Sequence, residues 1–194
     1  MKKSILFLFF LVTCNVFSQP STNIEQINLL LKEVCNQITN NCGNNIYMEY
    51  DSPPNMGFFK NRLELFLTEK GKTIYDSSFA NLYDLYFTIE NTGVKYKNIT
   101  KSGFFGDYFV EREVFLTGSY NIKNNGKIIF STNVNKTVID SVNYDDINKI
   151  ENYSLPFTRS PLPSEPLAPS LLEPVIAISS AIITIVLFFI VRSK

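Results

Sequence analysis

The stretch VEREVFLTGSYNIKNNGKIIFSTNVNKTV, Val110 to Val138, decides the fold. Val110, Arg112, Val114, Leu116, Tyr120 and Ile122 recur at even spacing, so they share one face of a strand. Asn125-Gly126 follows, the preferred pair for a two-residue hairpin turn because both positions accept positive φ. Ile128, Phe130, Thr132, Val134 and Val138 then lie along the returning strand. A long hairpin of this kind needs further strands beside it and a layer to cover its apolar face.

Working upstream, Leu85, Phe87 and Ile89 alternate with Tyr86, Thr88 and Glu90, which predicts a half-buried strand. Asn91-Thr92-Gly93 predicts a turn into a further segment with Val94 and Tyr96. Ile46 to Tyr50 predicts another strand, broken by Ser52-Pro53-Pro54-Asn55. Two helices supply the covering layer. Ile24, Ile27, Leu31, Val34 and Ile38 recur at helical spacing, and Thr22 with Glu25 three residues on forms a capping box. Phe59, Leu63, Phe66 and Leu67 mark a second helix from about Phe58 to Lys70, with Gly71 suited to its C-terminal turn. Downstream, Asp145-Asp146 caps a short helix through Ile147 and Ile150. The expected fold class is α+β: a mostly antiparallel sheet with helices on one face, plus a C-terminal single transmembrane helix.

Both ends of the 194-residue chain read as address signals. Met1-Lys2-Lys3, the apolar run Ile5 to Val12 and the sequence Val16-Phe17-Ser18 predict a secretory signal peptide over residues 1–18. A lipoprotein reading would instead use Cys14, where Thr13 is larger than the residue such signals usually carry. Val175 to Val191 carries no charge and is dominated by Ile, Val, Leu and Phe, with Arg192 and Lys194 behind it. That predicts a membrane span over 175–191 and a cytoplasmic tail of 192–194. Between the two lie an exported domain, 19–153, and a stalk, 154–174, holding six of the nine prolines. The predicted location is a bacterial cell membrane, single-pass, with the main domain periplasmic. The membrane is thus one partner.

Composition excludes several chemistries. There is no His, which removes His-based acid–base work, His-activated nucleophiles and His metal ligands. Equal numbers of acidic and basic residues argue against nucleic acid as a partner. Without the signal and the tail, the exported segment carries four more acids than bases. Its remaining cysteines, Cys35 and Cys42, read as one disulfide in an oxidising compartment, with a redox pair as the alternative. Asn98, Asn135 and Asn152 open glycosylation-type triplets, expected to go unused behind a bacterial signal.

The helix ending in Lys70-Gly71-Lys72, the short strand after it, Leu85-Tyr86-Phe87-Thr88-Ile89 and the long hairpin with Gly126 at its turn resemble small bacterial envelope-assembly domains. The curli-secretion, flagellar-envelope and lipopolysaccharide-assembly lipoprotein types share that layout. The resemblance covers about Thr22 to Ile150 and implies an envelope role. Those proteins are commonly lipid-anchored at the N-terminus, whereas this chain carries its apolar segment at the other end.

Candidate sites are few. Gly103-Phe104-Phe105-Gly106-Asp107-Tyr108-Phe109 sets four aromatics beside glycines, so Phe104, Phe105, Tyr108 and Phe109 are the expected partner-binding residues, with a folded-back core plug as the alternative. Asp140, Asp145 and Asp146 lack the spacing of a calcium loop. Glu111 and Glu113 share a strand face and are the carboxylate pair an acid–base enzyme would use. Leu155-Pro156-Phe157-Thr158-Arg159 is similar to a sortase signal, with Arg159 where that family has Gly. No cofactor or metal is expected. The function expected is a membrane-anchored, non-enzymatic envelope module that binds a protein partner or helps assemble an envelope complex. The alternative is a carboxylate-based envelope hydrolase.

Overall fold

The structure is a computed structural model that describes residues 20–103, 106–164 and 167–192, with backbone alone for 167–173, 191 and 192. The predicted signal peptide lies outside the described residues. The elements run α1 (Asn23–Asn41), β1 (Asn45–Asp51), α2 (Phe59–Glu69), β2 (Thr73–Tyr75), β3 (Tyr83–Lys101), β4 (Tyr108–Asn124), β5 (Lys127–Asn143), α3 (Ile147–Ile150) and α4 (Leu167–Arg192).

α1 starts where its capping box predicts. The Thr22 hydroxyl accepts from the Glu25 N–H at 3.3 Å, and the Glu25 carboxylate accepts from the Thr22 N–H at 2.7 Å. Ile27, Leu31, Val34, Cys35 and Ile38 are then buried along one side of the helix. They pack on the inner face of the sheet, where Leu85, Phe87, Val114, Leu116, Tyr120 and Ile122 are buried, and beside Phe59, Leu63 and Leu67 of α2. Residues alternating with these on β4, from Glu111 to Lys123, stay partly exposed. The helical layer therefore covers one face only, as expected.

Strand order is β2-β1-β3-β4-β5. The long pairings β3–β4 and β4–β5 are antiparallel, but β1 runs parallel to both β2 and β3. The sheet is mixed: most of its paired residues are antiparallel, as expected, and β1 adds parallel pairings that the sequence did not predict. The cause is α2: a helical crossover returns the chain to the same end of the sheet, so β2 enters alongside β1 in the same direction.

The turn predicted at Asn91-Thr92-Gly93 is corrected. β3 continues through it, and the register with β4 slips by one between Ile89 and Asn91. Glu90 is the extra residue of a β-bulge. Gly118 stands opposite, and a Cβ there would sit on the Thr88 carbonyl. The missing side chain on β4 admits the kink on β3.

The predicted stalk is shorter than 154–174. Pro156–Thr158 forms a 3-10 turn that buries Phe157 and Thr158. The Phe157 ring lies 5.9 Å from Phe58 and 5.6 Å from Phe59, centre to centre. Apolar burial outweighs the extended preference of the prolines here. The helix α4 also begins well before Val175 and takes in Pro169 and Pro174, so part of the stretch read as extended is helical. Every described side chain from Pro174 to Ile190 is exposed. Among the described residues no helix is long and apolar enough to cross a membrane. The expected span over 175–191 therefore rests on sequence alone, its described side chains stopping at Ile190, short of Val191.

Candidate interaction surface

The alternation of β4 places Arg112 on the apolar face, and there it is, 1% exposed. It survives burial because its donors are paired. Nε donates to Asp140 Oδ1 at 2.8 Å and Nη2 pairs with the other carboxylate oxygen, a two-pronged contact across the β4–β5 register. Nη1 donates to the Ser21 carbonyl at 2.7 Å and to Asn23 Oδ1 at 2.9 Å. The buried Asn23 amide in turn donates to Tyr96 Oη and to the Thr158 carbonyl, each at 2.8 Å. Burial is the main force pushing the Tyr96 hydroxyl up to about 12, against the opposing hydrogen bond from Asn23. This network joins the start of α1, three strands and the segment after α3. It is a structural knot, and sequence reading found its position but not its partners.

The expected disulfide is not made. Cys35 and Cys42 are both free thiols. α1 runs on to Asn41 and Cys42 caps it, so seven helical rises put the two Cα atoms about 10 Å apart, beyond the roughly 7 Å limit for a bridge. Cys35 faces the core, and burial pushes its thiol up to about 12. Cys42 is half-buried and is raised for the same reason, opposed by the Lys72 charge.

Phe104 and Phe105 lie outside the described residues. Tyr108 and Phe109 are half-buried and open β4, paired with Lys101 and Thr100 of β3. Lys101 Nζ stands 5.1 Å from the Tyr108 ring centre. Ser102 N–H donates to the Asp107 carbonyl at 2.9 Å, which closes the loop at its base. A Cβ on Gly106 would meet the Ser102 carbonyl, so the glycine is required by close approach.

Two of the carboxylates singled out in the sequence, Glu113 and Asp146, are each held by lysine. Glu113 on the outer face is bound by Lys97 and, at 3.7 Å, by Lys95; the Lys97 contact is the main cause of its lowered pKa. A carboxyl held ionised in this way is a poor proton donor. Asp146 accepts from Lys149 at 2.6 Å, and Asp145 N–H is capped by Asn143 Oδ1 at 2.9 Å, as a helix start requires. Among the described residues no group of His, Cys, Asp and Glu could hold a metal ion. A cleft of about 220 Å³ beside β1, β2 and α2 holds Glu49, Glu64 and Asp76, with Lys60 at 3.9 Å from Glu64.

The feature the sequence did not announce is that β5 is an edge. It is the terminal strand of the sheet, and its sole described strand partner is β4. It has seventeen residues, from Lys127 to Asn143. Ile128, Ile129 and Ile139 are 61%, 51% and 58% exposed on it. Proteins usually blunt such an edge with shortness, proline or charge. The opposite edge, β2, has three residues and is blunted by length. β5 has no proline, and its charges are Lys127, Lys136 and Asp140, the last held by Arg112. Half-exposed Tyr108 and Phe109 adjoin its far end, where Phe109 pairs with Asn143.

No protein-family model matches the sequence, and no curated protein matches it. Solved structures are similar to parts of it. A minor lipoprotein from Acinetobacter baumannii is similar at 18% identity and a TM-score of 0.34, over 53% of this chain and 67% of that one. A putative neuraminyllactose-binding hemagglutinin homolog from Helicobacter pylori follows at 10% and 0.31, over 50% and 64%. Rare lipoprotein B from Shewanella oneidensis is similar at 11% and 0.31, over 68% and 81%. Two of the three are bacterial lipoproteins.

Proposed function

We propose that this chain is a membrane-anchored, non-enzymatic module of a bacterial envelope, whose exported domain works by binding protein along β5. The carrying observation is the long, uncapped edge of β5 with exposed isoleucines at both ends. An open edge binds an added strand through main-chain hydrogen bonds, with side chains setting specificity. Asp107, Tyr108 and Phe109 adjoin the end of that edge, where the Asn143 amide donates to Asp107 at 3.3 Å.

The anchor is α4. Its charge-free stretch supports insertion in lipid, where Ser179, Ser180 and Thr184 hydroxyls already donate to helix carbonyls at 2.7, 2.9 and 2.8 Å. Arg192 behind it favours a cytoplasmic C-terminus.

Asn133→Pro tests the binding reading in the full chain. It removes one outward N–H from an edge strand, a position where proline is tolerated. Recovery of envelope proteins should fall while the unfolding midpoint holds. Equal recovery by both forms sinks the reading. Phe104→Ala with Phe105→Ala should likewise weaken recovery more than folding; a large drop in the unfolding midpoint instead makes those rings core.

A further inference from the structure

We propose that the partner on β5 is a second copy of this chain, with the two β5 strands antiparallel about a two-fold axis through Val134. This rests on the reading of β5 as a binding edge and names its occupant.

The Phe115 carbonyl accepts from the Thr92 hydroxyl at 2.6 Å, and the Phe109 carbonyl from the Thr100 hydroxyl at 3.5 Å. Odd-numbered residues of β4 therefore turn their peptide groups toward β3, and even-numbered ones toward β5. The register pairs even with even: Gly118 with Val134, Leu116 with Lys136, Arg112 with Asp140. Even residues of β5 are thus bonded to β4. Ser131, Asn133, Asn135, Thr137, Ile139 and Ser141 turn their N–H and C=O groups away from the sheet, where a further strand can take them.

From Ser131 the open positions read hydroxyl, amide, amide, hydroxyl, ending at Thr137, the same in either direction. With Val134 on the axis, Asn133 stands opposite Asn135 of the second copy, and Ser131 opposite its Thr137. Both ends are then closed by apolar contact: Ile128–Ile129 lies beside Ile139 of the other copy, twice over. The bulge between Ile122 and Lys123 on the β4–β5 ladder sets where this row stops. Moving the axis one residue to Asn135 loses the match, since Ile139 then faces Ser131. Cross-strand pairs of like chemistry stabilise a sheet, and like charges opposite one another destabilise it. In the Val134 register Lys136 faces Thr132, Lys127 faces Ser141, and Asp140 faces Ile128, so no like charges meet. A self-complementary patch is what a two-fold interface requires.

Cysteine cross-linking of the full chain in detergent decides it, with Cys14 and Cys42 changed to Ser. A chain carrying Ser131→Cys is co-expressed with a differently tagged chain carrying Thr137→Cys. Directly opposed residues on hydrogen-bonded antiparallel positions lie about 5.5 Å apart at Cα, within disulfide reach. The mixed pair should cross-link on oxidation, and neither variant should cross-link with itself. Ile139→Lys, at an exposed site, should raise the dimer dissociation constant roughly tenfold by light scattering. A monomer at every concentration, or cross-links in all three pairings, overturns the second copy. A monomer from which Asn133→Pro still strips another envelope protein overturns the second copy and leaves the binding edge standing. A monomer from which Asn133→Pro strips nothing overturns both.

Discussion

Arg112 shows how a charge is kept in an apolar layer. A buried ion pair adds little by itself, but removing one member leaves the other groups without partners. Arg112→Ala should cost about 3 kcal/mol, because Asp140, Asn23 Oδ1 and the Ser21 carbonyl all lose a donor. Arg112→Met with Asp140→Leu should recover most of that loss; urea unfolding of the single and double variants checks both. Tyr96 adds a pH dependence of known sign. Its hydroxyl ionises at about 12 when folded and near 10 when unfolded, so its contribution is complete below about pH 10. Above that pH the unfolded state ionises first, and stability falls toward about pH 12. Tyr50 and Tyr120, also raised by burial, act in the same direction. Tyr96→Phe should flatten the decline in unfolding midpoint between about pH 10 and 11. The thiols separate by access: a maleimide added to native protein should label Cys42 first and Cys35 after unfolding. Finding the two bonded to each other by mass spectrometry would mean that the end of α1 unwinds to bring them together.

Among the elements, β3 depends on a neighbour's missing atom. Gly118→Ala would put a Cβ on the Thr88 carbonyl, and neither backbone can retreat without breaking the ladder. The expected cost is about 3 kcal/mol, at the upper end for overpacking, read as a lowered unfolding midpoint with the slope unchanged. The sequence disclosed elements whose signal is local. The capping box placed α1, and alternation placed the faces of β4, Arg112 included. It failed where the deciding contact is distant. Asn91-Thr92-Gly93 looks like a turn until Phe115, Leu116 and Thr117 of β4 are known to pair with it. Phe157 looks like stalk until Phe58 and Phe59 are known to wait for it. Tyr108 and Phe109, aromatics just after Gly106, were expected as a surface from sequence, and they adjoin β5. It was not legible at β5, because being an edge is a property of strand order, and no residue in β5 records which strand comes last.

At the scale of the molecule, topology can be probed directly. Protease added to spheroplasts should digest the exported domain and spare a fragment containing α4, and carbonate washing should leave that fragment in the membrane. Protection of the domain with loss of the C-terminus would invert the topology. The contact between Asn23 and the Thr158 carbonyl has a mechanical meaning in such a protein. A tug arriving along the chain from α4 meets Ser160 and Arg159, both held by Glu151, and then Thr158. That residue is clasped to the start of α1 through Asn23 and to its own loop through Asn152 N–H at 3.0 Å. The load passes from there through Asn23 into Arg112 and across to Asp140, so it enters β4 and β5 from the side of α1. The clasp is therefore the fuse of the assembly. In an optical trap, Asn23→Ala should shorten the lifetime under force far more than Asn133→Pro, although β5 is the strand that looks most exposed.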